Sequence, residues 1–162
     1  MMQKNDQNNS GGHALTITRI FDAPRELVFA AWTQPQHMLH WWGPRGYTTL
    51  SSKLELFPGG NWRITSRHED GSETAESGVI RELDAPTRLV LTHAWENKEG
   101  IRGPDTLVTL IFAEQDGRTT MVFHQAPFDS ADTRDGHGFG WSESFDMLAE
   151  HLAENTRRMA AS

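Results

Sequence analysis

The stretch GFGWSESFDMLAEHLAENTRR, residues 138–158, decides the fold of this chain. Its apolar side chains recur at steps of four, three and four residues, which places them on one face of a helix. They are Trp141, Phe145, Leu148 and Leu152, and the acidic residues Glu143, Asp146, Glu150 and Glu154 lie largely opposite. The pattern predicts a helix from Phe139 to Arg158, entered through a loop over Ala126–Gly138. Such a helix has to bury its apolar stripe against a large partner.

A sheet is the predicted partner, because residues 47–127 read almost entirely as strands separated by turn signals. Short links between successive strands favour antiparallel hairpins over parallel crossovers. One more strand, His13–Phe21, precedes this region. The candidate strands within it are Tyr47–Phe57, Asn61–His68, Thr74–Leu83, Arg88–Glu96, Thr106–Glu114 and Thr119–Gln125.

Two short helices are predicted after the first strand, in DAPRELVFAAW (residues 22–32) and QHMLHWW (residues 36–42). The chain is therefore expected to be an α+β domain with a curved antiparallel sheet of six or seven strands around the C-terminal helix. Residues 13–158 would form this single domain. Residues 1–12 would be a disordered N-terminal tail, and residues 159–162 a C-terminal tail.

Composition excludes several classes of function. The formal net charge of −7 and the lack of a basic cluster argue against a nucleic-acid partner. No apolar stretch is long enough to span a membrane, and the polar start does not look like a secretory signal. The absence of cysteine excludes thiol catalysis and cysteine-ligated metal sites. These features fit a cytoplasmic protein.

Aromatic residues on the inner face of the sheet predict a ligand cavity under the helix. Six tryptophans fall in five separate segments, and alternation along RLVLTHAWE turns His93 inward between Leu91 and Trp95. Aromatic walls with a few polar groups are typical of ligand pockets, although a filled core has the same composition. The predicted lining is Trp32, Trp42, Trp62, Ile64, Leu91, His93, Trp95, Leu110, Phe123, Gln125, Trp141 and Phe145.

No catalytic or metal-binding constellation is recognisable. His37 and His40 are three residues apart, but no third and fourth metal ligand can be identified. The glycines of GHGFGWS do not follow the spacing of a phosphate-binding loop and are expected to let the chain turn into the last helix. We expect no cofactor. His93, with Glu55 or Glu76 as a partner, is the candidate base if the protein is an enzyme.

Five blocks of the sequence carry a resemblance to a known family. They are FDAPRELVFAAWTQPQHMLHWWGP (21–44), LFPGGNWRI (56–64), SGVIRELDAPTRLVLTHAWE (77–96), DGRTTMVFHQAPF (116–128) and GFGWSESFDMLAEHL (138–152). In this order they resemble the activator of heat-shock-protein-90 ATPase homologue family, and together they cover roughly residues 14–155. The order of elements is similar to the helix-grip fold of START lipid-transfer domains and birch-pollen-allergen-like proteins.

The resemblance implies a fold more than an activity. Members of the wider superfamily bind lipids, polyketides or plant hormones, and some cyclise polyketides. We therefore expect a binding protein for a small apolar or aromatic ligand. The alternatives are a polyketide cyclase or hydrolase that uses His93, and a stress-related co-chaperone domain that stimulates an Hsp90-type ATPase.

Phe57 and Gln125 stand where many relatives have arginine and histidine. A homodimer through outward Leu107 and Ile111 is also possible.

Overall fold

Seven strands and three helices make up residues 12–161, the part of the chain that the computed structural model describes. The predicted N-terminal tail lies outside the described residues except for Gly12. The elements are β1 (His13–Phe21), α1 (Arg25–Thr33), α2 (Pro35–Met38), β2 (Tyr47–Leu54), β3 (Asn61–His68), β4 (Glu73–Asp84), β5 (Arg88–Glu96), β6 (Thr106–Gln115), β7 (Arg118–Phe128) and α3 (Ala131–Ala161).

The strands form one antiparallel sheet in the order β1-β7-β6-β5-β4-β3-β2. Strands β2 to β7 pair in sequence order, and β1 closes the row by pairing with β7. The prediction of successive antiparallel hairpins is therefore confirmed. Register shifts between Thr49 and Ser51 and between Ile80 and Glu82 mark irregular pairing, which bends strands and increases their twist.

Helix α3 lies against β1, β7 and α1 and buries the predicted apolar stripe. The side chains of Phe145, Leu148 and Leu152 are no more than 2% exposed, and Trp141 is 8% exposed. Phe123 on β7 contacts both Trp141 and Phe145, with ring centroids 4.8 and 5.4 Å away. The core therefore joins the sheet to the helix, as the spacing of the apolar residues predicts.

The predicted boundaries of α3 are wrong. The helix begins at Ala131 rather than Phe139, and it continues to Ala161, so that most of the predicted C-terminal tail is helical. Ser130 Oγ accepts a hydrogen bond from the backbone N–H of Thr133 at 3.0 Å, which is a typical helix N-cap. Gly138 and Gly140 therefore lie within the helix and form no turn before it. Their weak helix propensity, which misled the sequence prediction, is outweighed by the packing of the helix.

The inner and outer faces of β6 follow the predicted alternation, whereas on β5 all residues from Leu89 to Ala94 are buried. On β6, Leu110 is fully buried, whereas Leu107 and Ile111 on the other face are 41% and 44% exposed. None of the described helices is long and apolar enough to cross a membrane.

Candidate ligand-binding cavity

A cavity of about 390 Å³ lies between the first turns of α3, strands β3 to β5 and the segment that follows α2. The sheet contributes Ser66, Thr74, Glu76, His93 and Trp95 to its wall. Register explains this grouping, because Ser66 pairs with Thr74 and Glu76 pairs with Trp95 on neighbouring strands. Side chains alternate between the two faces along a strand, so these five residues, two apart on each strand or paired across strands, point to the same face.

The helix side of the wall is opened by two glycines, Gly136 and Gly140, one helical turn apart. A Cβ atom built on Gly136 would meet no atom within 4 Å, and one on Gly140 would meet only Pro44 Cγ, at 3.9 Å. His137, Trp141 and other α3 residues border this gap. The helix therefore leaves space where side chains of ordinary size would fill the cavity.

A buried hydrogen-bonded chain forms the polar part of the wall. Glu76 Oε1 lies 2.7 Å from His93 Nε2, and Trp42 Nε1 donates to Glu76 Oε2 at 2.8 Å. His93 and Glu76 are only 3% and 6% exposed. Each carboxylate oxygen of Glu76 can accept one hydrogen bond from one of these neighbours and keeps a further lone pair. Glu76, rather than Glu55, is thus the partner of His93.

A buried hydroxyl group on the same wall, that of Ser66, has no such partner. Ser66 is 3% exposed, and its Oγ makes no hydrogen bond to any residue in the described range 12–161. Buried polar atoms are nearly always hydrogen-bonded, because leaving one unpaired costs about 1–3 kcal/mol. Ser66 therefore offers a hydrogen bond to whatever occupies the cavity.

Trp95 and His137 meet at the mouth of the cavity. Trp95 is 43% exposed, and its Nε1 donates to His137 Nε2 at 3.0 Å. His137 Nδ1 lies 2.8 Å from the carbonyl oxygen of Thr133, so a ring protonated on Nδ1 satisfies both contacts. Burial is the main reason that the pKa of His137 is lowered, and the charge of His93 lowers it further. The neutral ring thus holds Trp95 against α3.

Four residues of the predicted lining border this cavity: Trp42, His93, Trp95 and Trp141. Trp95 lies at the mouth and is far more exposed than predicted. The remaining eight lie in the packed core beside the cavity. They are Trp32, Trp62, Ile64, Leu91, Leu110, Phe123, Gln125 and Phe145. Gln125 Oε1 accepts a hydrogen bond from Trp141 Nε1 at 2.9 Å, so it supports the wall from behind.

Sequence reasoning missed several wall residues. Strand alternation through Thr74 and Glu76 contained enough signal to place both on the inner face. Gly136 and His137 were missed because their segment was taken for a loop. Tyr47, at the start of β2, gave no signal of its own.

The predicted pair His37 and His40 meets a third histidine on α3. His37 Nδ1 lies 2.8 Å from His151 Nε2, and the His40 ring stacks on His151 with centroids 4.7 Å apart. Burial and these positive neighbours lower the pKa of His151 to about 4. Within residues 12–161, no group of three or more His, Cys, Asp or Glu side chains has an arrangement that could hold a metal ion.

Solved structures share this architecture. The AHSA1 protein from Silicibacter pomeroyi has a TM-score of 0.81 at 24% identity, over 88% of this chain and 99% of that chain. A protein from Arthrobacter aurescens has a TM-score of 0.79 at 22% identity, over 87% of this chain and 86% of that chain. A protein from Rhodobacter sphaeroides has a TM-score of 0.75 at 23% identity, over 91% of this chain and 97% of that chain. These likenesses show the fold and confirm the predicted helix-grip architecture.

Sequence comparison identifies the family. No protein of curated function matches the chain. Residues 22–153, well over half of the sequence, match the family described as Activator of Hsp90 ATPase homolog 1-like protein. The predicted resemblance is confirmed, and the chain belongs to this family.

Proposed function

We propose that this protein binds a small apolar or aromatic molecule in the cavity between β3–β5 and α3. The observation that carries the proposal is the empty space in front of Gly136 and Gly140. Glycine within a helix costs roughly 0.5–1 kcal/mol relative to alanine. Two glycines that face an aromatic cavity are readily explained if the space is kept for a ligand. Trp42, His93, Trp95 and Trp141 would contact it, and the cysteine-free composition is consistent with a cytoplasmic protein.

A cavity-filling variant tests this proposal. Gly136→Leu should occupy the space without a clash near the backbone, because nothing lies within 4 Å of the new Cβ. We expect the variant to melt at or above the temperature of the wild type and to lose every ligand-induced thermal shift. Gly136→Ala is the matched control, since it removes the same glycine but fills little of the cavity. A Gly136→Leu protein that still responds to the ligands of the wild type would contradict the proposal.

Glu76 and His93 favour an enzyme as the second candidate function. The 2.7 Å contact orients the imidazole, and an oriented imidazole beside a bound substrate can act as a general base. In a cyclase or hydrolase of polyketide-like substrates, His93→Ala should abolish turnover, while the affinity for the ligand changes little. The amount of product formed in a fixed time measures this turnover. Equal turnover by the wild type and by His93→Ala would exclude this role.

A co-chaperone role is the third candidate, and it rests on the family description alone. Purified Hsp90-type chaperone provides the direct test, with its rate of ATP hydrolysis measured in the presence and absence of this protein. An unchanged rate would exclude it.

A further inference from the structure

The indole N–H groups of the cavity wall are already used within the protein. Three indoles line the cavity, and each donates its only N–H to another side chain. The bonds are Trp42 Nε1 to Glu76 Oε2 at 2.8 Å, Trp95 Nε1 to His137 Nε2 at 3.0 Å, and Trp141 Nε1 to Gln125 Oε1 at 2.9 Å. What these residues present to the cavity is therefore the ring surface of the indoles and not their N–H groups.

The polar groups that remain on the wall can accept hydrogen bonds. Glu76 has unused lone pairs after its contacts with Trp42 and His93, and Ser66 Oγ is unpaired. Neither lysine nor arginine contributes to the described wall. A ligand that donates hydrogen bonds therefore finds acceptors at Glu76 and Ser66, and the wall holds no cationic side chain of lysine or arginine that would repel it.

Aromatic rings also surround the cavity on several sides. The planes of Trp42 and Trp141 are nearly perpendicular, at 85°, with centroids 5.3 Å apart, and Tyr47 and Trp95 add two further rings. The face of an aromatic ring carries negative electrostatic potential, and organic cations bind against such faces. Glu76 lies in the same wall, and its carboxyl oxygens can accept hydrogen bonds from a cation in that space, which would offset part of the cost of removing the cation from water.

We propose that the ligand of this cavity is an arylalkylamine in its ammonium form, with the cation held among the rings of Trp42, Trp95 and Trp141 near Glu76. The ammonium group would donate hydrogen bonds to Glu76 and Ser66, and the aromatic ring would occupy the rest of the space. This assignment rests on the proposed binding function and names the chemical class of its ligand. The overall charge of −7 favours the approach of cations and opposes that of anions.

Three probes of nearly equal shape separate charge from hydrophobicity: 2-phenylethylammonium, uncharged propylbenzene and anionic 3-phenylpropanoate. We expect calorimetry on the full chain at neutral pH to give roughly tenfold tighter binding of the ammonium than of propylbenzene, as expected for a desolvated cation–π contact. The carboxylate should bind most weakly. Equal affinities, or propylbenzene as the tightest ligand, would overturn the ammonium assignment.

Two variants connect the preference to the named residues. In Glu76→Gln, the amide oxygen can accept from Trp42, and the amide N–H can donate to His93 Nε2 once the imidazole carries its proton on Nδ1, so both contacts are kept while the carboxylate is lost. The ammonium preference should then fall to within about threefold of propylbenzene, in line with the loss of one charge contact. Trp95→Leu, at the exposed mouth, is the second variant and avoids the buried network. It should weaken the ammonium more than propylbenzene.

The outcomes separate the ammonium assignment from the binding function on which it rests. Binding of propylbenzene that Gly136→Leu abolishes supports the cavity function, whatever the ammonium does. An ammonium preference that both Glu76→Gln and Trp95→Leu leave unchanged would overturn the assignment of these residues. Failure of all three probes to bind the wild type would count against both proposals.

Discussion

Gly78 is a residue whose side chain has to be absent for Trp62 to reach across β4 to Thr92 on β5. It lies on β4 opposite Trp62, whose Nε1 crosses to the carbonyl oxygen of Thr92 at 2.9 Å. A Cβ on Gly78 would stand 1.9 Å from that oxygen and 2.6 Å from Trp62 Nε1. Part of the clash is with backbone, so rotation of a side chain cannot relieve it. Glycine inside a strand often marks such a close approach.

Gly78→Ala should therefore destabilise the protein by about 2–3 kcal/mol or more, the range for overpacked sites. Urea unfolding followed by far-UV circular dichroism measures this free energy of unfolding. Gly136→Ala is the matched control, because its new Cβ meets open space. That variant should gain about 0.5–1 kcal/mol from helix propensity. Equal effects of the two substitutions would show that the close approach at Gly78 is not what governs stability.

At the scale of elements, helices α2 and α3 meet through the rings of His37 and His151. The pKa of His151 is lowered to about 4, chiefly by burial and then by the positive charges of His40, His37 and Arg158. Burial and the charge of His40 also lower the pKa of His37. His37 and His151 share one hydrogen bond at 2.8 Å, and one ring nitrogen must accept it. Protonation of both rings would leave two donors facing each other.

Acid should therefore weaken the contact between α2 and α3. The unfolded chain binds a proton at His151 near its ordinary pKa of 6.5, whereas the folded chain resists until about pH 4. Between these values the unfolded state binds more protons, so the free energy of unfolding falls as the pH falls. Unfolding by denaturant at a series of pH values from 7.5 to 4 should show this loss of unfolding free energy. The variant His151→Gln should show a smaller loss. Parallel curves for the two proteins would rule out His151 as the source.

Considered as a whole molecule, the fold could be predicted from the sequence because it follows from periodicity. Trp141, Phe145, Leu148 and Leu152 gave the buried face of α3, and short turns gave the hairpins. The start of α3 could not be placed from the sequence, because the segment that holds the cavity-lining glycines has the local composition of a loop. Ser130, two residues beyond the end of β7, is the N-cap that would have placed it.

The cavity was harder to predict than the fold because empty space is a property of packing. Trp32 and Trp42 follow similar local patterns, yet Trp32 is enclosed by other rings whereas Trp42 borders the cavity. Strand alternation placed His93 inward, but it did not reveal that Glu76 would lie within 2.7 Å of it. That contact depends on the register between β4 and β5, which no local sequence pattern specifies.

The cluster of tryptophans has a consequence for the fluorescence of the protein. Trp32 lies with its ring centroid 4.8, 5.8 and 5.9 Å from those of Trp41, Trp42 and Trp141, and Trp42 lies 6.0 Å from Trp62. Excitation passes readily between indoles at such separations, so light absorbed by one of these five rings can be emitted by another. All five are buried, whereas Trp95 at the mouth of the cavity is 43% exposed. Fluorescence at the longer wavelengths of a hydrated indole therefore reports whether the entrance is wet or covered.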